Sequence, residues 1–265
     1  MGGPGPRPAD RADVHEVTPM TVGETDRAAP VERPGRGTFT TRTRRLFLAW
    51  GSASTAVCLA LCALALRHPE ILDRWDHVLQ LGPDAWRAGS PWVERPLVGI
   101  SYAFGTVASA VATAVVAGVL VVRRLGRAAA YVVVVMAGTS LVTSVLKHYV
   151  DLGRPVVAHP IIEYASSAMP SGHASNIAAA VTTACVLSAL FLRQRTRRRL
   201  VLVVGVLVSL VVGLDRLMLG VHTLTEVVAG YALGVGVGLI AAYVVDPSAR
   251  VSTERVTESR GPGSR

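Results

Sequence analysis

Lysine is all but missing from this chain: of its 27 basic residues only Lys147 is a lysine, and the rest are arginines. Biased coding accounts for the ratio but not for the place of the one lysine, seven positions before Arg154-Pro155. A compact ammonium and a planar guanidinium fork are not equivalent ligands for an anion. Aromatic residues are scarce at 5%, and charged residues make up 17% against 51% hydrophobic. With a mean hydropathy of +0.43, that balance excludes an average soluble domain and makes a membrane protein the expectation. The three cysteines, Cys58, Cys62 and Cys185, all lie inside apolar runs, which excludes a disulfide framework and a thiolate metal site. Cys58 and Cys62 share one helix face and read as small buried hydrophobes. The net charge of +9 could suit nucleic acid. The arginines instead fall in short clusters between apolar runs, a distribution that reads as membrane topology, so no nucleic-acid partner is expected.

The chain does have six long apolar runs: Leu46 to Leu66, Leu97 to Val122, Ala128 to Leu146, Ala174 to Leu192, Leu200 to Leu214 and Val227 to Val245. A bilayer core takes about 20 helical residues, so five of the runs are long enough as they stand. The Leu200 to Leu214 run is short and reaches span length only by continuing through Leu217-Met218-Leu219. That extension requires Asp215 and Arg216 to face the bundle interior, where intramembrane charges belong. The expected fold is therefore all-α, a six-transmembrane-helix bundle over residues 46–245. Residues 1–45 and 246–265 are polar and are expected to be disordered tails. What precedes Leu46 is too polar for a signal peptide, so the first run is expected to be an uncleaved anchor.

The loops set an orientation. Arg42, Arg44 and Arg45 precede the first run, Arg123, Arg124 and Arg127 join the second to the third, and Arg193, Arg195, Arg197, Arg198 and Arg199 join the fourth to the fifth. By the positive-inside rule these segments and both termini are cytoplasmic. Lys147, Arg154, His173, Arg216 and His222 then share the outer face of the cell membrane. Between spans one and two, Ile71, Leu72, Trp75, Val78 and Leu79 fall on one helical face, with Asp73, Arg74, Asp76, His77 and Gln80 on the other. This predicts an amphipathic helix lying in the interface, followed by Trp86 and Trp92, which serves as a rim guiding a lipid or as a plain anchor.

Chemistry gathers between Lys147 and Glu226. Pro170-Ser171-Gly172-His173 leads into the fourth apolar run. Backbone N–H groups at such a helix start point outward, and glycine lets an anion approach them. Lys147, Arg154 and Arg216 can supply charge to the equatorial oxygens of a transferring phosphoryl group. His222 and Glu226 are four residues apart on one helix face, so the carboxylate can take the proton of one ring nitrogen and leave the other nucleophilic. His173 can protonate the leaving oxygen and afterwards activate water. The arrangement describes a phosphohistidine route that needs no metal or other cofactor.

These residues resemble the motifs of the type 2 phosphatidic acid phosphatases, a family that shares its site with vanadium haloperoxidases. Lys147, six residues, then Arg154-Pro155 is similar to the first family motif, and Pro170-Ser171-Gly172-His173 to the second. Arg216, five residues, His222, three residues, Glu226 is similar to the third, and the apolar stretch from Val227 to Gly234 also looks like the family. The resemblance covers roughly residues 46 to 245. It implies that His222 is the nucleophile, Glu226 its orienting carboxylate and His173 the general acid. It assigns phosphate binding to Lys147, Arg154, Ser171, Gly172 and Arg216. It further implies a six-helix enzyme acting on lipid phosphates from the outer side of the membrane, which agrees with the orientation read from the arginines.

The chain departs from the family pattern twice. Glu226 stands where the family has aspartate, and Asp215 stands where it has a small residue, able either to pair with Arg216 or to repel phosphate. In the last span Gly230, Gly234 and Gly238 recur every four residues, which suits close packing inside the bundle or a weak homodimer face. The expected activity is hydrolysis of a lipid-anchored phosphomonoester or pyrophosphate, a description that phosphatidate, phosphatidylglycerophosphate and undecaprenyl pyrophosphate all satisfy. A phosphotransferase using the same histidine, or a non-catalytic lipid-phosphate-binding membrane protein, is the alternative.

Overall fold

The structure, a computed structural model, describes residues 1–3, 38–79, 91–153 and 167–248. The chain divides into two units, Met1–Gly35 and Arg36–Arg265. Of the first, residues 1–3 are described and carry no regular structure. Among its described residues the second holds eight helices: α1 Thr41–Arg67, α2 Pro69–Leu79, α3 Pro91–Ala103, α4 Thr106–Val122, α5 Gly126–Val150, α6 Gly172–Phe191, α7 Arg195–Met218 and α8 Leu224–Val245. Helices α1, α5, α6, α7 and α8 are each long and apolar enough to cross a membrane, and α3 with α4, bent by 44°, are a sixth candidate when the pair is taken as one span. The fold is all-α with six candidate spans, as the apolar runs require.

Side chains are sorted by size more than by polarity. Helix α4 buries no residue and turns Val107, Val111, Val115, Val119 and Val122 outward. Helix α8 buries Ala229, Gly230, Gly234, Gly236 and Gly238. Lipid is as apolar as valine, so burial of large apolar groups drives little here, and close helix approach selects small residues for the interior. A methyl at Gly230 would lie 2.6 Å from the Ser171 carbonyl oxygen, one at Gly238 would lie 2.7 Å from Thr182 Cγ2, and one at Gly234 would collide with the Ser175 carbonyl oxygen. The glycine stripe is therefore occupied by α6 of the same chain. This corrects the homodimer expectation for Gly230, Gly234 and Gly238: the stripe is a bundle contact, with no room left for a second copy.

Helix α1 starts at Thr41, earlier than the apolar run, because Thr40 caps it by accepting from the Thr43 N–H at 3.1 Å. Arg42, Arg44 and Arg45 lie within its first turns, and Arg67 is its last residue. Arg44 donates to the Tyr243 carbonyl at 2.9 Å and pairs with Asp246 at 3.3 Å, and Arg127 donates to the carbonyls of Asp246, at 3.0 Å, and Val245. Cations at the C-terminal end of α8 suit its dipole, and they tie the starts of α1 and α5 to the end of α8. The opposite end of the bundle carries the motifs.

The structure differs from expectation within the second span and on α2. The run from Leu97 to Val122 is interrupted at Phe104-Gly105, where the Gly105 N–H bonds the Tyr102 carbonyl at 3.2 Å instead of continuing the α-helical ladder. On α2, Leu72 is buried and Trp75 exposed, while Asp76, expected on the polar face, is buried at 6% exposure. Its carboxylate accepts from the Thr225 N–H and hydroxyl at the start of α8. Trp86, Gln80 and the tails beyond residue 248 lie outside the described residues.

Candidate active site

Three segments meet at the motif end of the bundle. Lys147 lies in the last turn of α5, Ser171 is the N-cap of α6, and Glu226 is the third residue of α8. The Ser171 N–H donates to the Glu226 carbonyl at 3.1 Å, which joins the second motif directly to the third. Lys147 donates from Nζ to the Ser167 carbonyl, and the Leu152 N–H donates to Ser167 Oγ at 2.9 Å, so the first motif is held beside the approach to the second. Beneath them Cys58, Cys62, Leu72, Val150, Met169, Ala229 and Leu233 pack into one apolar cluster. Arg154 lies outside the described residues.

The pairing of His222 with Glu226 follows from local sequence. Thr223-Leu-Thr-Glu226 is a capping box: the Thr223 hydroxyl accepts from the Glu226 N–H, and Glu226 Oε2 accepts from the Thr223 N–H at 3.2 Å. The same Oε2 accepts from His222 Nδ1 at 2.7 Å, and both side chains are buried. An ionised carboxylate can only accept, so this contact puts a hydrogen on Nδ1. The Glu226 side chain reaches both partners at once. It lets one carboxylate cap the helix and orient the imidazole together.

Helix α7 extends to Met218, as the interior placement of its charges demanded, with Asp215 at 2% and Arg216 at 0% exposure. Asp215 resolves to the pairing alternative: its Oδ2 accepts from Arg216 Nε at 3.0 Å and from a terminal guanidinium nitrogen. Asp215 Oδ1 has no hydrogen-bond partner among the described residues. A buried ion pair of this kind holds the guanidinium plane in place and offsets its charge.

Ser171 makes no side-chain capping bond to α6, and its buried Oγ has no hydrogen-bond partner among the described residues. A buried hydroxyl without a partner is costly unless a ligand or water completes it. Thr143, one turn before Lys147, is also buried with an unpartnered Oγ1 and lies close to Gly172, whose added methyl would sit 3.9 Å from its Cγ2. An uncapped helix start beside an unpartnered buried hydroxyl has the chemistry that suits an oxyanion.

His173, half-buried, places Nε2 3.0 Å from the Ser101 carbonyl. In a continuous helix that carbonyl would take the Gly105 N–H, so the break in the second span is what turns it toward His173. A carbonyl only accepts, which puts a hydrogen on Nε2. Sequence reading missed Ser101, Gly105, Asp76 and the Thr223 cap. Only the last had a local signal, the Thr-x-x-Glu pattern just before an apolar run. Among the described residues no three His, Cys, Asp or Glu side chains gather as metal ligands. An apolar cavity of about 510 Å³ between α6, α7 and α8 includes none of the motif residues.

Residues 128–250 match the family model described as the PAP2 superfamily. A segment of 101 residues, 36% of this chain, is 33% identical to phosphatidylglycerophosphatase B of Bacillus subtilis (strain 168). It spans 46% of that protein, so the match reaches about half of the relative's length. The fold is similar to the crystal structure of a transmembrane PAP2-type phosphatidylglycerolphosphate phosphatase from Bacillus subtilis. The TM-score is 0.65 at 21% identity, over 76% of this chain and 98% of that one. The stretch that matches the PAP2 superfamily model contains Lys147, the Pro170-Ser171-Gly172-His173 tetrapeptide and the Arg216–Glu226 segment, so all three sequence motifs fall within the similarity to that superfamily.

Proposed function

We propose that this chain is a membrane phosphatase that hydrolyses a lipid-anchored phosphomonoester or pyrophosphate through a phosphohistidine on His222, without a metal. The observation that carries the reading is the buried 2.7 Å contact between His222 Nδ1 and Glu226 Oε2, set beside the uncapped start of α6. With its proton on Nδ1, His222 attacks phosphorus through Nε2. The bond from phosphorus to the lipid oxygen breaks, and that oxygen takes a proton from His173. Water, deprotonated by His173, then displaces His222 and releases inorganic phosphate. Lys147, Arg154 and Arg216, with Ser171 Oγ and the backbone at Gly172, hold the phosphoryl oxygens as charge builds on them. The arginine-bearing end of the bundle is cytoplasmic, with both termini, and the site opens on the outer face.

Phosphatidylglycerophosphate is the first substrate to try, because the relative's name specifies it. Phosphatidate and a polyprenyl pyrophosphate are the comparisons. The test is phosphate release by detergent-purified protein in EDTA, beside His222→Ala. Release that survives chelation and vanishes in the variant is expected. Release that needs an added metal, or an acceptor alcohol, overturns the mechanism.

A further inference from the structure

We propose that Asp76 is a positioning residue for the His222–Glu226 pair, coupling the amphipathic helix α2 to the first turn of α8. The inference rests on the reading of that pair given above. Asp76 and Thr225 are 149 positions apart, yet the Asp76 carboxylate grips Thr225 at two points. Oδ1 accepts from the Thr225 N–H at 2.9 Å and Oδ2 from the Thr225 hydroxyl at 2.6 Å. Thr225 is the second residue of α8 and Glu226 the third.

The first N–H groups of a helix have no acceptor within it. At the start of α8 the Glu226 N–H goes to the Thr223 hydroxyl and the Thr225 N–H goes to Asp76. A second carboxylate from another helix thus completes the cap, and anions are favoured there by the helix dipole. Two bonds from one side chain also fix the rotation of this turn about its axis. A side-chain tip lies about 5–6 Å from a helix axis, so a turn of about 10° carries it about 1 Å. That displacement would take the 2.7 Å contact between His222 and Glu226 beyond good hydrogen-bond length. Asp76 itself is held from below, because its neighbour Leu72 sits in the cluster with Cys62, Met169 and Leu233. An apolar anchor and a buried acid on one short helix therefore act on the same helix start.

The test uses the full-length chain in detergent and compares Asp76→Ala, Asp76→Asn, Thr225→Val and the Asp76→Ala/Thr225→Val double variant. The expected result for Asp76→Ala is a fall in kcat of roughly 10- to 100-fold, the loss of hydrogen bonds to a charged group. KM and the inhibition constant for inorganic phosphate stay within about twofold, since the phosphate ligands are elsewhere. Asp76→Asn keeps one acceptor oxygen and recovers part of the rate, and the double variant falls no further than Asp76→Ala. An unchanged kcat per folded molecule, with only the folded yield reduced, makes Asp76 a plain anchor for α2 and overturns the proposal. If Asp76→Ala does not fold, Asp76→Asn and Thr225→Val decide on the same criterion. The ring-nitrogen NMR resonances of His222, read without substrate, give an answer independent of turnover: the Nδ1-protonated form should lose population in Asp76→Asn and more of it in Asp76→Ala, and unchanged resonances refute the coupling. A wild-type chain that releases no phosphate defeats the phosphatase reading, whereas an active wild type matched by an equally active Asp76→Ala defeats only this inference.

Discussion

Glu226→Asp gives the sharpest separation between family resemblance and this site's own geometry. Resemblance alone treats the change as a return to the usual residue and expects equal or better turnover. The structure expects the reverse. Removing one methylene draws the carboxylate back by about one C–C bond, about 1.5 Å. A contact of 2.7 Å to His222 Nδ1 then opens to about 4 Å, past the range of a hydrogen bond. A hydrogen bond to an ionised partner contributes about 1.5–3 kcal/mol, so kcat should fall about 10- to 150-fold. The second bond of the same oxygen, 3.2 Å from the Thr223 N–H, is lost with it and costs about 0.5–1 kcal/mol of helix capping. The assay is initial phosphate release at matched folded-protein concentration, with Glu226→Gln as the length-preserving control. Glu226→Gln keeps an acceptor in place but no charge, and should fall between Glu226→Asp and the wild type. Wild-type or higher kcat in Glu226→Asp would refute the argument that the glutamate's reach orients the imidazole.

Other residues carry predictions of their own. Asp215→Ser removes two hydrogen bonds from the buried Arg216 guanidinium and should destabilise the apo protein by about 3–5 kcal/mol. Inorganic phosphate should then raise Tm more in the variant than in the wild type, and equal shifts would show that Arg216 does not meet the anion. Gly234→Ala places a methyl 2.7 Å from the Ala179 nitrogen and 2.8 Å from Ala178 Cβ, with no flexible side chain to yield. Thermal unfolding should show a loss of about 1–3 kcal/mol. Gly118→Ala, with nothing within 4 Å, should be neutral or slightly stabilising, and equal behaviour of the two variants would sink the packing argument.

Much of this protein is local in origin, and that part was legible in the sequence. Six apolar runs become six candidate spans because helical hydrogen bonding inside lipid has few alternatives. Asp215 and Arg216 had to lie inside the bundle because the Leu200 to Leu214 run is too short without them, and α7 extends to Met218 with both buried. The His222–Glu226 pair follows from four-residue spacing, which the 3.6-residue turn converts into a shared face. What the spacing left open was always a choice between faces or partners. Asp215 could pair or repel, and the position of its carboxylate against Arg216 decides for pairing. The glycines of α8 could meet another chain or their own, and α6 already fills that face. The Ser101 carbonyl meets His173 because the second span breaks at Gly105, whose N–H turns to Tyr102. Asp76 looked like a water-facing residue of an amphipathic helix until α8 came to lie over it. Local sequence settles which stretches are helical and which residues share a helix face. Tertiary structure alone decided which helix start meets which side chain, because contacts between residues far apart in the chain depend on packing that no local period encodes.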